Sequence, residues 1–270
     1  MNYTRFEKKS RLMCIGLMLF LCGEAQDSLL SKNQVALWQS KPVSVDGNDN
    51  DWPKVFQLAD KKAKISYALA NDESTFYLCL ITNDIHTKLK ILAGGLTTYI
   101  NTEGKKKQSM AIIYPERIEE LQIAPGRPDL RGLIVTSMAN LNQYELEGFS
   151  SGNGKYFSTQ ENEAGIKVRV GLNDSAELVY EASIPFTALK IKQPKASDAA
   201  SLLAVGFVIK GLSKTSTSQN SPVPDGGTRR AAPAGSLGSM PAGQNDDRLM
   251  FDLFENSKTW QIIALATAGR

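Results

Sequence analysis

Ala63-Lys64-Ile65-Ser66-Tyr67-Ala68-Leu69-Ala70, then Asn71-Asp72-Glu73, then Thr75-Phe76-Tyr77-Leu78-Cys79-Leu80-Ile81-Thr82 is the stretch on which the fold turns. Ile65, Tyr67 and Leu69 alternate on one side, the period of two that belongs to an extended strand rather than a helix. Asn71-Asp72-Glu73 supplies turn chemistry, because a short carboxylate or amide bonds its own backbone two residues on. The apolar run that follows closes the pattern as a β-hairpin. The same alternation predicts further strands at 95–100, 108–114, 143–147, 166–172, 177–184, 202–210 and 259–266, with breaks such as Asn101-Thr102-Glu103-Gly104 and Ser151-Gly152-Asn153-Gly154 between them. Many short strands and no long amphipathic helix predict an all-β fold, an antiparallel β-sandwich (jelly-roll-like) or a barrel. Short helices are expected at 85–92, 115–122 and 185–189.

The chain has 270 residues, 42% of them apolar, which is ample for a core. Its formal charge of +3 is concentrated in the first residues, where Arg5, Lys8, Lys9 and Arg11 precede an apolar run from Leu12 to Leu21 and then Gly23-Glu24-Ala25. That order is the order of a secretory signal peptide over 1–25, cut before Gln26. The apolar run is short of the roughly 20 residues a spanning helix needs. An uncleaved anchor and lipidation at Cys22 are the two alternatives that would put the protein on a membrane; Leu21 argues against the second, since a small residue belongs there. Without the leader the charges nearly balance, and no basic run is longer than Lys105-Lys106-Lys107, so nucleic acid is not an expected partner.

With Cys14 and Cys22 in the leader, Cys79 is left alone inside an apolar strand and is expected to be a small buried hydrophobe. An exported domain without a disulfide depends on its core, which suits a bacterial periplasm or cell surface. Residues 26–270 are expected to form one sandwich domain. Ser, Thr, Gly, Pro and Ala crowd out large apolar residues from 213 to 248, a composition that predicts a disordered loop. The apolar 259–266 beyond it must then return to the sheet as the final strand.

Several short motifs in order carry a resemblance: Val45-Asp46-Gly47 and Asp51-Trp52-Pro53, Ile65-Ser66-Tyr67-Ala68 with Phe76-Tyr77-Leu78-Cys79-Leu80 and Asp84, Tyr180-Glu181-Ala182-Ser183-Ile184-Pro185-Phe186, and Val205-Gly206-Phe207. Together they resemble the family 9 carbohydrate-binding modules and their wider sandwich relatives, over most of the mature chain. The resemblance implies a non-catalytic module that holds a sugar ring between two aromatic faces, with calcium shaping the loops. Read as residues alone, these motifs are structural: Asp46-Gly47 makes a turn, Trp52 beside Pro53 is a core lid, and Ile184-Pro185-Phe186 ends a strand. Trp260, in the last apolar strand, is expected to be buried. Tyr99, Tyr114, Tyr144 and Tyr156 are the candidate ligand platforms, set against a plain role on sheet faces.

Asp46, Asp49 and Asp51 gather hard oxygen donors in one loop and are the candidate calcium ligands, with Glu161, Glu163 or Glu181 as a further carboxylate and a solvated acidic turn as the alternative. No other cofactor is expected. His86 is the single histidine and is expected to face solvent, so triads and multi-histidine metal sites are poorly supplied and no enzyme is expected. The resulting expectation is glycan binding in the envelope or periplasm; the alternative is a structural or protein-interaction sandwich that binds an envelope protein and no sugar.

Overall fold

The structure, a computed structural model, describes residues 34–118, 129–192, 201–213 and 251–268. The expected leader (1–25) and all but Ser213 of the expected loop (213–248) lie outside the described residues.

The hairpin forms as its sequence dictates. β4 (Ile65–Asn71) and β5 (Thr75–Thr82) pair antiparallel with Leu69 opposite Leu78. Asp72 closes the turn: its Oδ1 accepts the backbone N–H of Ser74 and of Thr75, each at 2.7 Å, and its Oδ2 accepts the Tyr77 hydroxyl at 2.6 Å. On the other side of β5 lies β11 (Leu178–Pro185), antiparallel over eight residue pairs, and then β10 (Lys167–Leu172). Two short strands, β2 (Leu37–Trp38) and β3 (Leu58–Asp60), complete a six-stranded sheet against β4.

The second sheet has seven strands in the order β1-β13-β12-β6-β7-β8-β9. They are β1 (Gln34–Val35), β6 (Leu96–Asn101), β7 (Met110–Ile113), β8 (Gln143–Glu147), β9 (Gly154–Phe157), β12 (Leu202–Ile209) and β13 (Ser257–Ala264). β13 comes back beyond the 214–250 segment and pairs with all eight residues of β12. The two ends of that segment meet, since the Leu212 N–H donates to the Leu253 carbonyl at 2.8 Å. Every long pairing is antiparallel. Among the described residues, parallel pairs occur only where 34–38 crosses from one sheet to the other, β1 on β13 and β2 on β4.

The inner faces meet in one apolar layer. Tyr67 packs edge-on against Phe207 of the opposite sheet, with centroids 5.2 Å apart, and the Thr98 hydroxyl donates to that of Tyr180 at 3.0 Å across the same core. Asn71, fully buried, ties the sheets at one end: its Nδ2 donates to the Ala266 carbonyl at 3.0 Å and its Oδ1 accepts the Ala266 N–H at 2.8 Å.

The outer face of the six-stranded sheet is sealed as well. Val43, Trp52 and Phe56 lie over Ala68, Ala70, Tyr77, Cys79 and Val179, which is why β4, β5 and β11 are buried on both faces and read as nearly continuous apolar runs. Cys79 is fully buried there, and burial beside Glu181 pushes its thiol well up.

The structure corrects several boundaries. The helix expected at 85–92 is an α-turn, Ile85–Leu89, capped by Asp84, running into a π-helical turn, Lys90–Gly94. Residues 115–118 are not helical, and 119–122 lie outside the described residues. The helix expected from Pro185 begins at Phe186, since Pro185 is the last residue of β11. A helix not anticipated spans Leu130–Met138, started by the Asp129 side chain accepting the Gly132 N–H at 3.0 Å. β1, β2, β3 and β9 have two to four residues each, too few to display a period.

Candidate functional site: an aromatic platform on the seven-stranded sheet

In an antiparallel ladder, directly opposed residues point to the same side of the sheet. One row across the seven-stranded sheet is therefore set by register: Trp260 on β13 opposes Gly206 on β12, which opposes Tyr99 on β6, which opposes Ala111 on β7. Neighbours one residue away, such as Val205, Phe207 and Ile100, are buried in the inner layer, so this row lies on the outer face. Here two large aromatics flank a glycine.

Gly206 explains their arrangement. A Cβ at this position would lie 2.6, 2.6 and 2.8 Å from three carbons of the Trp260 indole. Near-equal distances to three ring atoms mean that the face of the indole, and not its edge, covers the glycine. The indole lies flat on the backbone of β12, held by the absence of a side chain beneath it. Tyr99 continues the surface, its ring within 14° of parallel and its centroid 6.2 Å away. Both residues are half-buried. Lys258, exposed and two residues before Trp260 on the same face, holds its ammonium 5.6 Å from the ring centroid. The Trp260 Nε1–H is buried and has no acceptor among the described residues.

The geometry is that of a platform and not of a clamp. A pyranose between two aromatic faces needs carbon contacts of about 3.5–4 Å on each side, roughly 7–8 Å between planes. Near-parallel rings with centroids 6.2 Å apart leave no such slot. Both rings keep part of their surface exposed.

The four candidate tyrosines separate by face. Tyr99 is on the platform. Tyr114 and Tyr144 are each 2% exposed and pack edge to face at 6.2 Å inside the core, so neither ring has a face free for a ligand. Tyr144 also has its hydroxyl occupied, accepting from Asn162 Nδ2 at 2.8 Å. Tyr156 is half-buried and stacks on Tyr144 at 5.7 Å at the margin of the same cluster. Their strands carry the tyrosines with inward parity, which alternation alone cannot assign until the other sheet is in place.

Trp260 is the residue sequence reasoning missed. Its strand is apolar, so burial was the natural expectation, but Lys258 shares its parity and exposed lysines mark the solvent face. Gly206 inside an otherwise apolar strand was the second signal, since a strand glycine often marks the close approach of another group.

Asp46, Asp49 and Asp51 do not converge on a common point. Asp46 Oδ1 accepts the Asn48 N–H at 2.9 Å, Asp49 Oδ1 accepts from Asn173 Nδ2 at 3.1 Å, and Asp51 Oδ2 accepts the Ser44 N–H at 2.8 Å. Among the described residues no three His, Cys, Asp or Glu side chains gather as a metal site requires. These carboxylates instead shape the loop that covers the six-stranded sheet.

Glu181 is the anchor of that loop. Fully buried on β11, it accepts the Trp52 indole N–H on Oε1 at 2.7 Å, and on Oε2 the backbone N–H of Gly47 at 2.8 Å and of Asp46 at 3.1 Å. Burial outweighs these three donors and raises its carboxyl to about 7. The motifs Asp46-Gly47, Trp52 and Glu181 are thus one structural unit, and the core-lid role expected of Trp52 is the one observed. A carboxyl so enclosed reaches no ligand. His86 is half-buried on the Ile85–Leu89 turn, less open than expected. A shallow hollow of about 190 Å³ beside Thr102, Ser109, Ser150 and Lys190 has no carboxylate or histidine in its lining.

No helix among the described residues is long and apolar enough to cross a membrane. No family model and no curated protein matches the chain. Among solved structures, the chain is similar to a carbohydrate-binding module of family 9 from Caldicellulosiruptor kristjanssonii in complex with cellotriose, at 11% identity and a TM-score of 0.31, over 68% of this chain and 79% of that one.

Proposed function

We propose that this chain is a non-catalytic, exported β-sandwich that binds glycan, and that it does so on the outer face of the seven-stranded sheet through Trp260 and Tyr99. The observation that carries this reading is the pair of near-parallel rings laid flat over Gly206. A sugar presents a face of C–H groups ringed by hydroxyls. A flat aromatic surface takes that face, while solvent and the polar rim take the hydroxyls. Sealing of the opposite outer face by Trp52 and its loop leaves the seven-stranded side as the broad surface with aromatic rings to offer. The leader at 1–25 supports export to the periplasm or cell surface.

Affinity electrophoresis and a glycan array with the chain lacking its leader test the proposal. Trp260→Ala and Gly206→Ala are expected to weaken retardation by about tenfold, a loss of about 1–1.5 kcal/mol. Gly206→Ala is the sharper variant, because its methyl lifts the indole without removing it. Thermal melting should show both variants folded. Retardation by no polysaccharide, or retardation that both substitutions leave unchanged, would remove the platform from consideration and favour the envelope-protein alternative.

A further inference from the structure

The platform has a charged end. Lys258 is exposed, lies on the same face as Trp260 and is in no ion pair with any described carboxylate, its recorded contact being the Trp260 ring at 5.6 Å. Some other lysines of the structure are matched. Lys64 pairs with Asp84 and Asp252, Lys105 with Glu103, and Lys155 with Glu116 and Glu145. The contrast is clear along a single cross-strand row, Lys258–Val208–Thr97–Ile113–Glu145–Lys155. At the β8–β9 end the charges neutralise each other, and at the β13 end the cation beside the aromatic surface has no paired carboxylate among the described residues.

We propose that the saccharide bound on this face is anionic, its ring stacked on Trp260 and its carboxylate or sulfate paired with the Lys258 ammonium; this rests on the platform reading above. The distances suit the chemistry. An equatorial acid group leaves a pyranose at the rim of the ring, so a sugar laid on the indole carries its charge sideways, where the Lys258 ammonium, held over the ring 5.6 Å from its centre, meets it by swinging off the ring. Lys258 needs only to exchange a weak contact with the ring for a charge-assisted hydrogen bond. Glu147, in the Trp260 row, stands four strands away, roughly 19 Å at 4.8 Å per strand, too far to repel an acid group held at β13.

Matched pairs of polymers test this by affinity electrophoresis and titration calorimetry: polygalacturonate against galactan for a carboxylate, dextran sulfate against dextran for a sulfate. The expected result is at least tenfold tighter binding to one charged member than to its neutral partner. Lys258→Gln should erase that preference and Lys258→Glu reverse it, while Trp260→Ala weakens every polymer that binds. Raising salt from 50 to 500 mM should shrink the preference. Equal binding of charged and neutral partners, or a preference that survives Lys258→Gln in a variant shown folded by its melting curve, overturns the anionic ligand and leaves the platform standing. Charged-polymer binding that ignores Trp260→Ala, or no binding to any of the four, overturns the platform and this inference with it.

Discussion

Glu181 accepts three N–H donors in a site closed to water, and the two effects oppose each other. The donors favour the carboxylate and the burial favours the acid; burial prevails, raising the group to about 7 from an ordinary 4.5. The consequence for stability has a definite sign. Between about pH 4.5 and 7 the unfolded chain has lost this proton while the folded one keeps it, so stability falls as pH rises through that window and levels off above it. Asp60, Asp72 and Asp84 are held below their ordinary range by hydrogen bonds and, for Asp84, by Lys64, so their contribution is present above pH 4 and is lost only in stronger acid. Urea midpoints measured from pH 4.5 to 8 should therefore decline, and Glu181→Gln should flatten the decline. Gln offers one acceptor oxygen where the site needs two, so the variant should also lose about 1–3 kcal/mol throughout. A profile with the same slope in wild type and variant would place the titration elsewhere.

At the scale of elements, the sequence speaks clearly where two local signals agree. The β4–β5 hairpin shows alternation and an aspartate turn together, and it formed as expected, shifted by two residues at its start. β12 and β13 were legible as apolar strands with near-correct limits. The Leu130–Met138 helix was not legible, because Gly132, Thr136 and Ser137 weaken its apolar stripe and its start depends on one capping aspartate. The platform was half legible. Tyr99 stood among the candidates, but which face of β6, β8 or β13 points outward depends on a partner sheet whose register is fixed by long-range pairing. The Asn71–Ala266 bonds, between residues 195 positions apart, were beyond any local signal. Those bonds hold the exit of β4 to the chain leaving β13. Asn71→Ala strands a buried N–H and a buried carbonyl, and chemical denaturation should report a loss of about 2–4 kcal/mol. A loss below about 1 kcal/mol would mean that water reaches the site.

For the molecule as a whole, the two outer faces differ in kind, one closed by its own loop and the other carrying two half-buried rings. Folding of the pair of sheets depends on β13 finding β12 after a long excursion of the chain. Leu212 and Leu253 hydrogen-bond at the mouth of that excursion, and Asp252 pairs with Lys64 beside it, so both ends are fixed to the body by contacts of their own. Replacing 214–250 with a short Gly-Ser connector should accordingly leave the melting temperature unchanged or raise it, since a shorter loop costs about 1–2 kcal/mol less to close. A fall of more than about 5 °C in calorimetry would show that the excursion supports the sheets.

Gly206 also has a meaning for descent. A floor that tolerates no side chain ties this position to the ring above it, because a Cβ here would meet the Trp260 indole. Relatives with a glycine here opposite an aromatic are expected to share the platform and those with any larger residue to lack it, so one codon sorts the lineage before a single ligand is tried.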